Sequence, residues 1–254
     1  MMNISKYFKI NIFVYILAIV SIFTASFKQF IIITTLIVIH EIGHFLAAKI
    51  IKVETDKIYI YPLGGVSKFY LPINSHPLKE LFILIFGPIF QQIAYYLLLK
   101  LYPYDTNMIQ IYHYGILLFN FMPIYPLDGG KILLLFLSIT NPYKKSLKIT
   151  IRISYIIILT ILIFNLNKIK INTIVTICFL IYKTTKEYHQ INLIYEKFIL
   201  ERYLNNYTFK KIKIVDSMND FFKNKAHIIK ENNKYYLEKE YLLKKIKKIK
   251  KSID

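Results

Sequence analysis

The residues best placed for chemistry are His40, Glu41 and His44, which form the pattern H-E-x-x-H within an apolar run from Phe30 to Ile51. If that run is helical, the two histidines lie four residues apart on one face, where their imidazoles can bind one zinc ion. Glu41 can then act as a general base on a water molecule at the same site. Because ionisable groups deep in an apolar helix are costly, the trio indicates a functional site. The alternative is that the histidines only satisfy polar groups inside a helix bundle.

The composition is typical of a membrane protein. The chain has 254 residues, 55% of them hydrophobic, and a formal net charge of +19. Soluble domains rarely combine these properties, whereas polytopic membrane proteins with basic flanks commonly do. The one cysteine, Cys178, excludes a disulfide bond within the chain and a cysteine metal cluster. The sequence contains no nucleic-acid recognition motif, so we expect no nucleic-acid partner.

The apolar runs predict the number of membrane crossings. A helix that spans the bilayer needs about 20 mostly apolar residues. Runs of about this length, one of them interrupted, predict about six transmembrane helices, over residues 10–27, 30–51, 78–99, 108–139, 148–164 and 169–182. Lysine and arginine are concentrated in alternate connecting segments, and this bias predicts that both termini are cytoplasmic.

Two irregular features interrupt this helical pattern. Runs rich in β-branched and aromatic residues, 57–61 and 66–70, flank the turn sequence Pro62-Leu-Gly-Gly65 and predict a β-hairpin. Lipid does not tolerate an open strand edge unless protein or water covers it, so we expect the hairpin near the site or at the membrane interface. Gly87-Pro88, in the third predicted helix, indicates a kink or the close approach of another backbone.

The fourth predicted helix is interrupted by Met122-Pro-Ile-Tyr-Pro-Leu-Asp-Gly-Gly130, and broken helices at membrane depth usually line a site. Asp128, where the second half-helix begins, is the strongest candidate for a third zinc ligand, because the helix dipole favours a carboxylate there. The alternative is that Asp128 only caps the helix. The other candidate ligands are Glu54, Glu80, Asp105 and the remaining histidines, of which His113 is interpreted as a packed polar residue.

These motifs resemble those of the site-2 proteases, which are intramembrane zinc metalloproteases. The resemblance rests on the H-E-x-x-H pattern, on Pro62-Leu-Gly-Gly65, on Gly87-Pro88 and on the stretch from Asn120 to Gly130, and it spans roughly residues 5–183. No PDZ-like domain is inserted between the third and fourth helices, and a lone tail follows the last. That layout looks most like the branch of stage IV sporulation protein FB, which processes an inactive sigma-factor precursor.

The resemblance implies that His40, His44 and Asp128 bind one zinc ion per chain and that Glu41 is the catalytic general base. It also implies an integral protein of the bacterial cell membrane that takes part in regulated intramembrane proteolysis. The expected substrate is a membrane-tethered protein, such as a sigma-factor precursor or an anti-sigma factor. The lipid bilayer and an inhibitory membrane partner complete the expected partners.

The resemblance implies two further roles. Asn120 would be a catalytic residue near the substrate or the tetrahedral intermediate, although from the residues alone its amide can equally hydrogen-bond between helices. The hairpin would pair with an unwound strand of the substrate. Gly64, Gly65 and Asn120 are therefore the predicted substrate-binding residues.

The chain is predicted to divide into a protease domain, residues 1–183, and a basic cytoplasmic tail, residues 184–254. Tail segments in the predicted order β-α-β-β-α, over residues 209–215, 216–225, 226–230, 235–237 and 238–249, resemble a cystathionine-β-synthase-type domain. This resemblance leaves nucleotide binding by the tail open. The last segment, from Glu238 to Lys251, predicts a basic amphipathic helix that contacts anionic lipid or an acidic partner, or that packs on the tail. The predicted fold is thus an all-α polytopic membrane protein with a small membrane-associated β-hairpin and a small α+β cytoplasmic tail.

A second function is compatible with some of these motifs. A zinc-binding membrane transporter, or a proteolytically inactive membrane scaffold, would also use broken helices and ligands at membrane depth. Glu41 distinguishes these readings from a protease, because a transporter does not need a general base between two ligands. No inverted repeat relates the two halves of the sequence.

Overall fold

The computed structural model describes residues 7–62, 64–166 and 171–250. By its contacts the chain divides into two compact units. The first comprises Met1–Leu71 and Leu78–Met122, and the second comprises Pro72–Pro77 and Pro123–Asp254. Leu63 of the predicted turn, residues 169 and 170 of the sixth predicted helix and Lys251 lie outside the described residues.

The first unit combines four helices with a small sheet. Its elements are β1 (Phe8–Ile10), α1 (Ile12–Phe23), α2 (Phe27–Ile50), β2 (Thr55–Tyr61), β3 (Gly64–Phe69), α3 (Pro77–Leu101) and α4 (Thr106–Phe121). The strands β2 and β3 are antiparallel, as the predicted hairpin requires, and β1 pairs with β2 in parallel to give the order β1-β2-β3. The sequence did not predict β1, which occupies only the residues just before the Asn11 cap of α1.

The helices of the first unit pack through α2. Ile32 and Leu36 on α2 are buried against Ala94 and Leu98 of α3 and Ile109 of α4. On the outer faces, large apolar side chains remain exposed, which is expected of helices surrounded by lipid. One face of α2 therefore forms a core, while exposed apolar side chains lie on the outer faces of these helices.

Three helices in the described part of the chain are long and apolar enough to cross a membrane: Phe27–Ile50, Pro77–Leu101 and Tyr143–Asn165. They correspond to the second, third and fifth predicted spans. The first predicted span is shorter than expected, because α1 has only 12 residues and rises about 18 Å at 1.5 Å per residue. The number of six spans stays a prediction.

The second unit contains the remaining helices and a second sheet. Its elements are α5 (Asp128–Thr140), α6 (Tyr143–Asn165), α7 (Ile171–Leu204), β4 (Ile212–Val215), β5 (Ala226–Glu231), β6 (Lys234–Leu237) and α8 (Glu238–Lys250). Strand β4 pairs in parallel with β5, and β5 pairs antiparallel with β6. Tyr143, Leu147, Phe198, Ile229 and Leu242 show that α6, α7 and the tail share one core.

One tail element was predicted wrongly. The predicted helix over residues 216–225 is absent there, and the structure has only a 3₁₀ turn, Met218–Asp220. The carbonyl oxygens of Phe222 and Lys223 instead accept hydrogen bonds from Arg202, at 2.6 and 3.1 Å. These backbone groups are thus satisfied without a helix. The three predicted strands and the final helix are present, and the functional division at residue 183 stays a prediction.

Candidate active site and metal centre

The H-E-x-x-H residues lie on α2, as predicted, and their side chains are buried. The spacing of four residues places His40 and His44 on one face, where their rings are nearly perpendicular, at 83°. Their Nε2 atoms lie 3.1 Å apart. Two zinc–nitrogen bonds of about 2.0–2.1 Å at a tetrahedral angle would place the nitrogens about 3.3 Å apart.

The other nitrogen of each imidazole is held by a carbonyl group of α3. His40 Nδ1 lies 2.9 Å from Gln91 Oε1, and His44 Nδ1 lies 2.8 Å from the backbone oxygen of Ile83. Because these oxygens only accept, both Nδ1 atoms carry a proton and both Nε2 atoms keep a lone pair. Two lone pairs at this separation repel unless a cation lies close to both. The donor set therefore fits a zinc ion.

The absence of a side chain at Gly87 makes room for this histidine pair. A Cβ atom there would lie 2.4 Å from Cε1 and Nε2 of His44 and 2.9 Å from Nε2 of His40. A Cβ atom at Gly43 would likewise lie 2.4 Å from the carbonyl oxygen of Phe86. The close approach predicted at Gly87-Pro88 is present, and what approaches Gly87 is the imidazole pair.

The hairpin lies directly on the predicted base. The hydroxyl of Ser67 on β3 is 2.8 Å from Glu41 Oε2 and 2.8 Å from the Glu41 backbone oxygen. A Cβ atom at Gly65 would lie 2.3 Å from Cγ of Glu41. Gly65 and Ser67 share one face of β3 because alternate residues of a strand do. Ser67 was not among the residues predicted from the sequence, and its two-residue spacing from Gly65 was the signal available.

Asp128 is the first residue of α5 in the second unit, and it is buried. The N-cap position is occupied by Leu127, so Asp128 is not the capping residue that the alternative proposed. Its Oδ1 accepts a hydrogen bond from Lys131 Nζ at 3.1 Å, which pairs the carboxylate with a cation one turn along the helix. Asp128 therefore places a buried carboxyl group at this helix start.

The predicted helix break is present between α4, which ends at Phe121, and α5, which begins at Asp128. Two hydroxyl groups hold the break within the second unit. Tyr125 N donates to Ser154 Oγ of α6 at 2.8 Å, and Thr184 Oγ1 of α7 donates to the Tyr125 oxygen at 3.0 Å. A Cβ atom at Gly130 would lie 2.4 Å from Tyr125 N, which explains a glycine there.

The remaining predicted residues have definite places. Asn120 is half-buried in the last turn of α4. Gly64 opens β3 with a φ of +146°, a conformation that favours glycine. Of the other candidate ligands, Asp105 forms an ion pair with Lys28, and Glu54 is exposed just before β2. The substrate contacts of Asn120, Gly64 and Gly65 stay predictions.

Comparison with known proteins finds similarity to a peptidase family and to two individual proteins. Peptidase family M50 matches residues 28–107, which include the H-E-x-x-H residues. Stage IV sporulation protein FB of Bacillus subtilis (strain 168) is 29% identical over 203 residues, covering 75% of this chain and 69% of that protein. A zinc metalloprotease of Methanocaldococcus jannaschii is 32% identical over 171 residues, and those residues are 62% of this chain and 48% of that protein. This chain thus spans about half the length of the archaeal relative.

A solved structure is also similar. The site-2 protease from Methanocaldococcus jannaschii superposes with a TM-score of 0.54 at 28% sequence identity. The superposition covers 71% of this chain and 89% of that one.

Proposed function

We propose that this chain is a membrane metalloprotease of the site-2 protease kind and that it cleaves a membrane-associated segment of a protein substrate. The match of peptidase family M50 to residues 28–107 and the similarity to two relatives and a solved site-2 protease support the proposal. The observation that carries the proposal is the arrangement on α2. His40 and His44 face each other through Nε2, and Glu41 lies beside them. A structural histidine pair would not need that carboxylate.

The family implies a metal ion, generally zinc, and we propose one per chain. His40, His44 and Asp128 are buried, and each offers one ligand atom. Two imidazole nitrogens and a carboxylate oxygen are a donor set that catalytic zinc sites use. When bound, zinc supplies Lewis-acid activation of the attacking water and of the scissile carbonyl group.

Glu41 performs the proton transfers in this proposal. Its carboxylate takes a proton from the attacking water as the water oxygen bonds to the scissile carbonyl carbon. It then gives that proton to the amide nitrogen, and the carbon–nitrogen bond breaks. The Ser67 hydroxyl, 2.8 Å from Oε2, keeps the carboxylate in one orientation. Asn120 would stabilise the tetrahedral intermediate through its amide.

The edge strand β3 supports a mode of substrate binding. In the described sheet, β3 has one neighbour, β2. An extended substrate segment can add to such an edge through main-chain hydrogen bonds. Gly64 and Gly65 would let its backbone approach near Glu41. We propose a sigma-factor precursor or an anti-sigma factor as the substrate, as the resemblance in sequence implies.

We also propose six spans in a bacterial cell membrane with both termini in the cytoplasm, supported by the lysine distribution. An inhibitory membrane partner would control substrate access. Reporter fusions after Lys28 should report the outside and after Lys145 the inside. The opposite pattern would refute this orientation.

The principal experiment is Glu41→Gln, co-expressed with membrane-tethered candidate substrates and scored for cleavage. The amide cannot accept a proton, so cleavage should fall on the order of 10²–10⁴-fold, while the protein accumulates and keeps its zinc. Glu54→Gln is the matched control, because Glu54 is exposed and should leave cleavage unchanged. Near-normal cleavage by Glu41→Gln would favour the zinc-binding transporter or the inactive scaffold.

Asp128→Asn tests the third ligand. Asn keeps the size of the side chain but removes its charge, so purified Asp128→Asn should lose zinc and activity while still accumulating in the membrane. If zinc content and cleavage match the wild type, Asp128 is not a ligand, and Glu54 and Glu80 become the next residues to test.

A further inference from the structure

A chain of hydrogen-bonded side chains leads from His40 to α4 within the first unit. Gln91 Oε1 on α3 lies 2.9 Å from His40 Nδ1. Gln91 Nε2 donates to the backbone oxygen of His113 at 3.0 Å and lies 3.4 Å from Nδ1 of the same residue. His113 Nε2 lies 3.1 Å from Gln92 Oε1. Gln91 and His113 are each 0% exposed.

One atom fixes which group donates and which accepts in this series of hydrogen bonds. The backbone oxygen of His113 can only accept, so Gln91 must present its NH₂ group to it and its amide oxygen to His40. That oxygen also only accepts, so His40 Nδ1 carries the proton and His40 Nε2 keeps its lone pair. His113 then accepts at Nδ1 and donates from Nε2 to Gln92. The main chain of α4 thus sets the tautomer of His40 through Gln91.

We propose that Gln91 is a positioning residue for the metal centre and that His113 holds Gln91 in place. The inference rests on the proposed function, because it takes His40 Nε2 as a metal ligand. A group that accepts from the second nitrogen of a ligating histidine fixes the ring and raises its basicity. His44 needs no such side chain, since its Nδ1 is held by the backbone oxygen of Ile83.

Packing alone does not account for Gln91. The His113 ring stacks on Tyr95, with centroids 4.3 Å apart and planes 18° apart, so apolar contact already joins α3 to α4 at this level. A leucine at position 91 would fill a similar volume without burying an amide among apolar helices, and burying an amide costs free energy. An amide in this place is explained by the two groups that it connects.

The test measures zinc affinity of the full-length protein in detergent by competition with a chelator. Thermal unfolding of the zinc-free protein and the absorption spectrum of the cobalt-substituted protein serve as separate readouts. Gln91→Leu should weaken zinc binding about 10–100-fold and change the cobalt spectrum. Gln91→Glu should weaken zinc binding less than Gln91→Leu, because a carboxylate still accepts from His40 Nδ1, although it cannot donate to the backbone oxygen of His113. If Gln91→Leu does not accumulate, Gln91→Met replaces it.

Gln92→Leu is the matched control, because Gln92 neighbours Gln91 on α3 and contacts His113. It should keep the zinc affinity and cobalt spectrum of the wild type. Unchanged zinc affinity in Gln91→Leu would overturn the inference, and so would equal weakening in Gln91→Leu and Gln91→Glu, since Gln91 would then only pack. His44→Ala separates the two proposals. If His44→Ala loses zinc while Gln91→Leu keeps it, only the positioning role fails; if His44→Ala binds zinc normally, both proposals fail.

Discussion

The two units each bury histidines in the same tautomer but complete them differently. In the second unit, His227 Nδ1 donates to Glu238 Oε2 at 3.0 Å, and its Nε2 accepts from the backbone N–H of Phe222 at 2.9 Å. In the first unit, Nδ1 of His40 and of His44 also donates to an oxygen, yet their Nε2 atoms face each other. Both ring nitrogens of His227 thus contact groups of the second unit, whereas the Nε2 atoms of the α2 pair face each other in the arrangement that two zinc ligands would have.

Arg202 supplies the positive charge of the His227 cluster, which is called the second cluster below. Its guanidinium is buried and donates to both oxygens of Glu238, at 3.0 and 3.1 Å, and to Asn74 Oδ1 at 2.7 Å. Glu201 next to it accepts from the backbone N–H groups of Ile73 and Asn74, each at 3.1 Å. Arg202 and Glu238 therefore form an ion pair, while Arg202 and Glu201 together fix the segment Pro72–Pro77 to α7. A buried cation that is paired and hydrogen-bonded within its own unit indicates a structural role.

The titration of the second cluster agrees with this structural role. Burial alone would raise the pKa of Glu238, but the hydrogen bond from His227 and the charge and hydrogen bonds of Arg202 lower it below 4.5. Burial lowers the pKa of His227 below 6.5, although its hydrogen bond to Glu238 opposes that shift. At neutral pH the cluster thus contains an ionised Glu238 and a neutral His227.

The largest expected effect on stability comes from Arg202→Met. Removing the guanidinium leaves Glu238 buried without its cation, which should destabilise the second unit by about 3–5 kcal/mol. The rate of hydrogen–deuterium exchange at the backbone amides of β5 should increase as a result. Zinc content should not change, because this cluster needs no metal.

Arg152→Met is the matched control, since Arg152 is exposed on α6. It should leave the exchange of β5 as in the wild type. Loss of zinc in Arg202→Met, with β5 still protected, would remove the distinction between a structural and a catalytic cluster.

Features that depend on neighbouring residues could be predicted from the sequence, whereas contacts between distant residues could not. Local patterns in the sequence predicted the helices that carry the site. These patterns are the H-E-x-x-H spacing, the Gly87-Pro88 pair and the break before Asp128. Gln91, Ser67 and the Arg202–Asn74 contact join residues that are 51, 26 and 128 positions from their partners. Only the packed helices bring such residues together, and a glutamine or an arginine in an otherwise helical run gives no sign of its partner.

An effect of intermediate size is expected at Gly87. In Gly87→Ala the new methyl group would displace both imidazoles, so zinc affinity should fall about 10–100-fold, as when groups that orient ligands are lost. Chelator competition on purified protein measures this, and the exchange of β5 should stay as in the wild type.

Gly115→Ala on α4 is the control for this change, because a Cβ atom at Gly115 would meet nothing within 4 Å. Alanine also favours the helix over glycine by up to about 1 kcal/mol, so the control should be as stable as the wild type or more so. Equal zinc affinity in Gly87→Ala and Gly115→Ala would show that the imidazole pair is not held by close contact with α3.

The smallest expected effect is a pH dependence confined to the second unit. His227 has a lowered pKa in the folded chain, so below about pH 6.5 the unfolded chain binds a proton that the folded chain does not. Stability should therefore be full above pH 6.5 and should fall as the pH decreases, with each unit of lowering worth about 1.4 kcal/mol. The groups that act on His227 are Arg202, Glu238 and Lys225, and Glu238 stays ionised through this window because its own pKa is lowered.

Exchange of β5, corrected for the intrinsic pH dependence of amide exchange, isolates this effect from zinc loss, which also accompanies acidification because ligating imidazoles must be neutral. His227→Gln should remove the slope between pH 7 and 5, whereas His189→Gln, at an exposed position of α7, should keep it. If the slope persists in His227→Gln, the acid sensitivity belongs to another group, and protonation of His227 does not control the stability of the second unit.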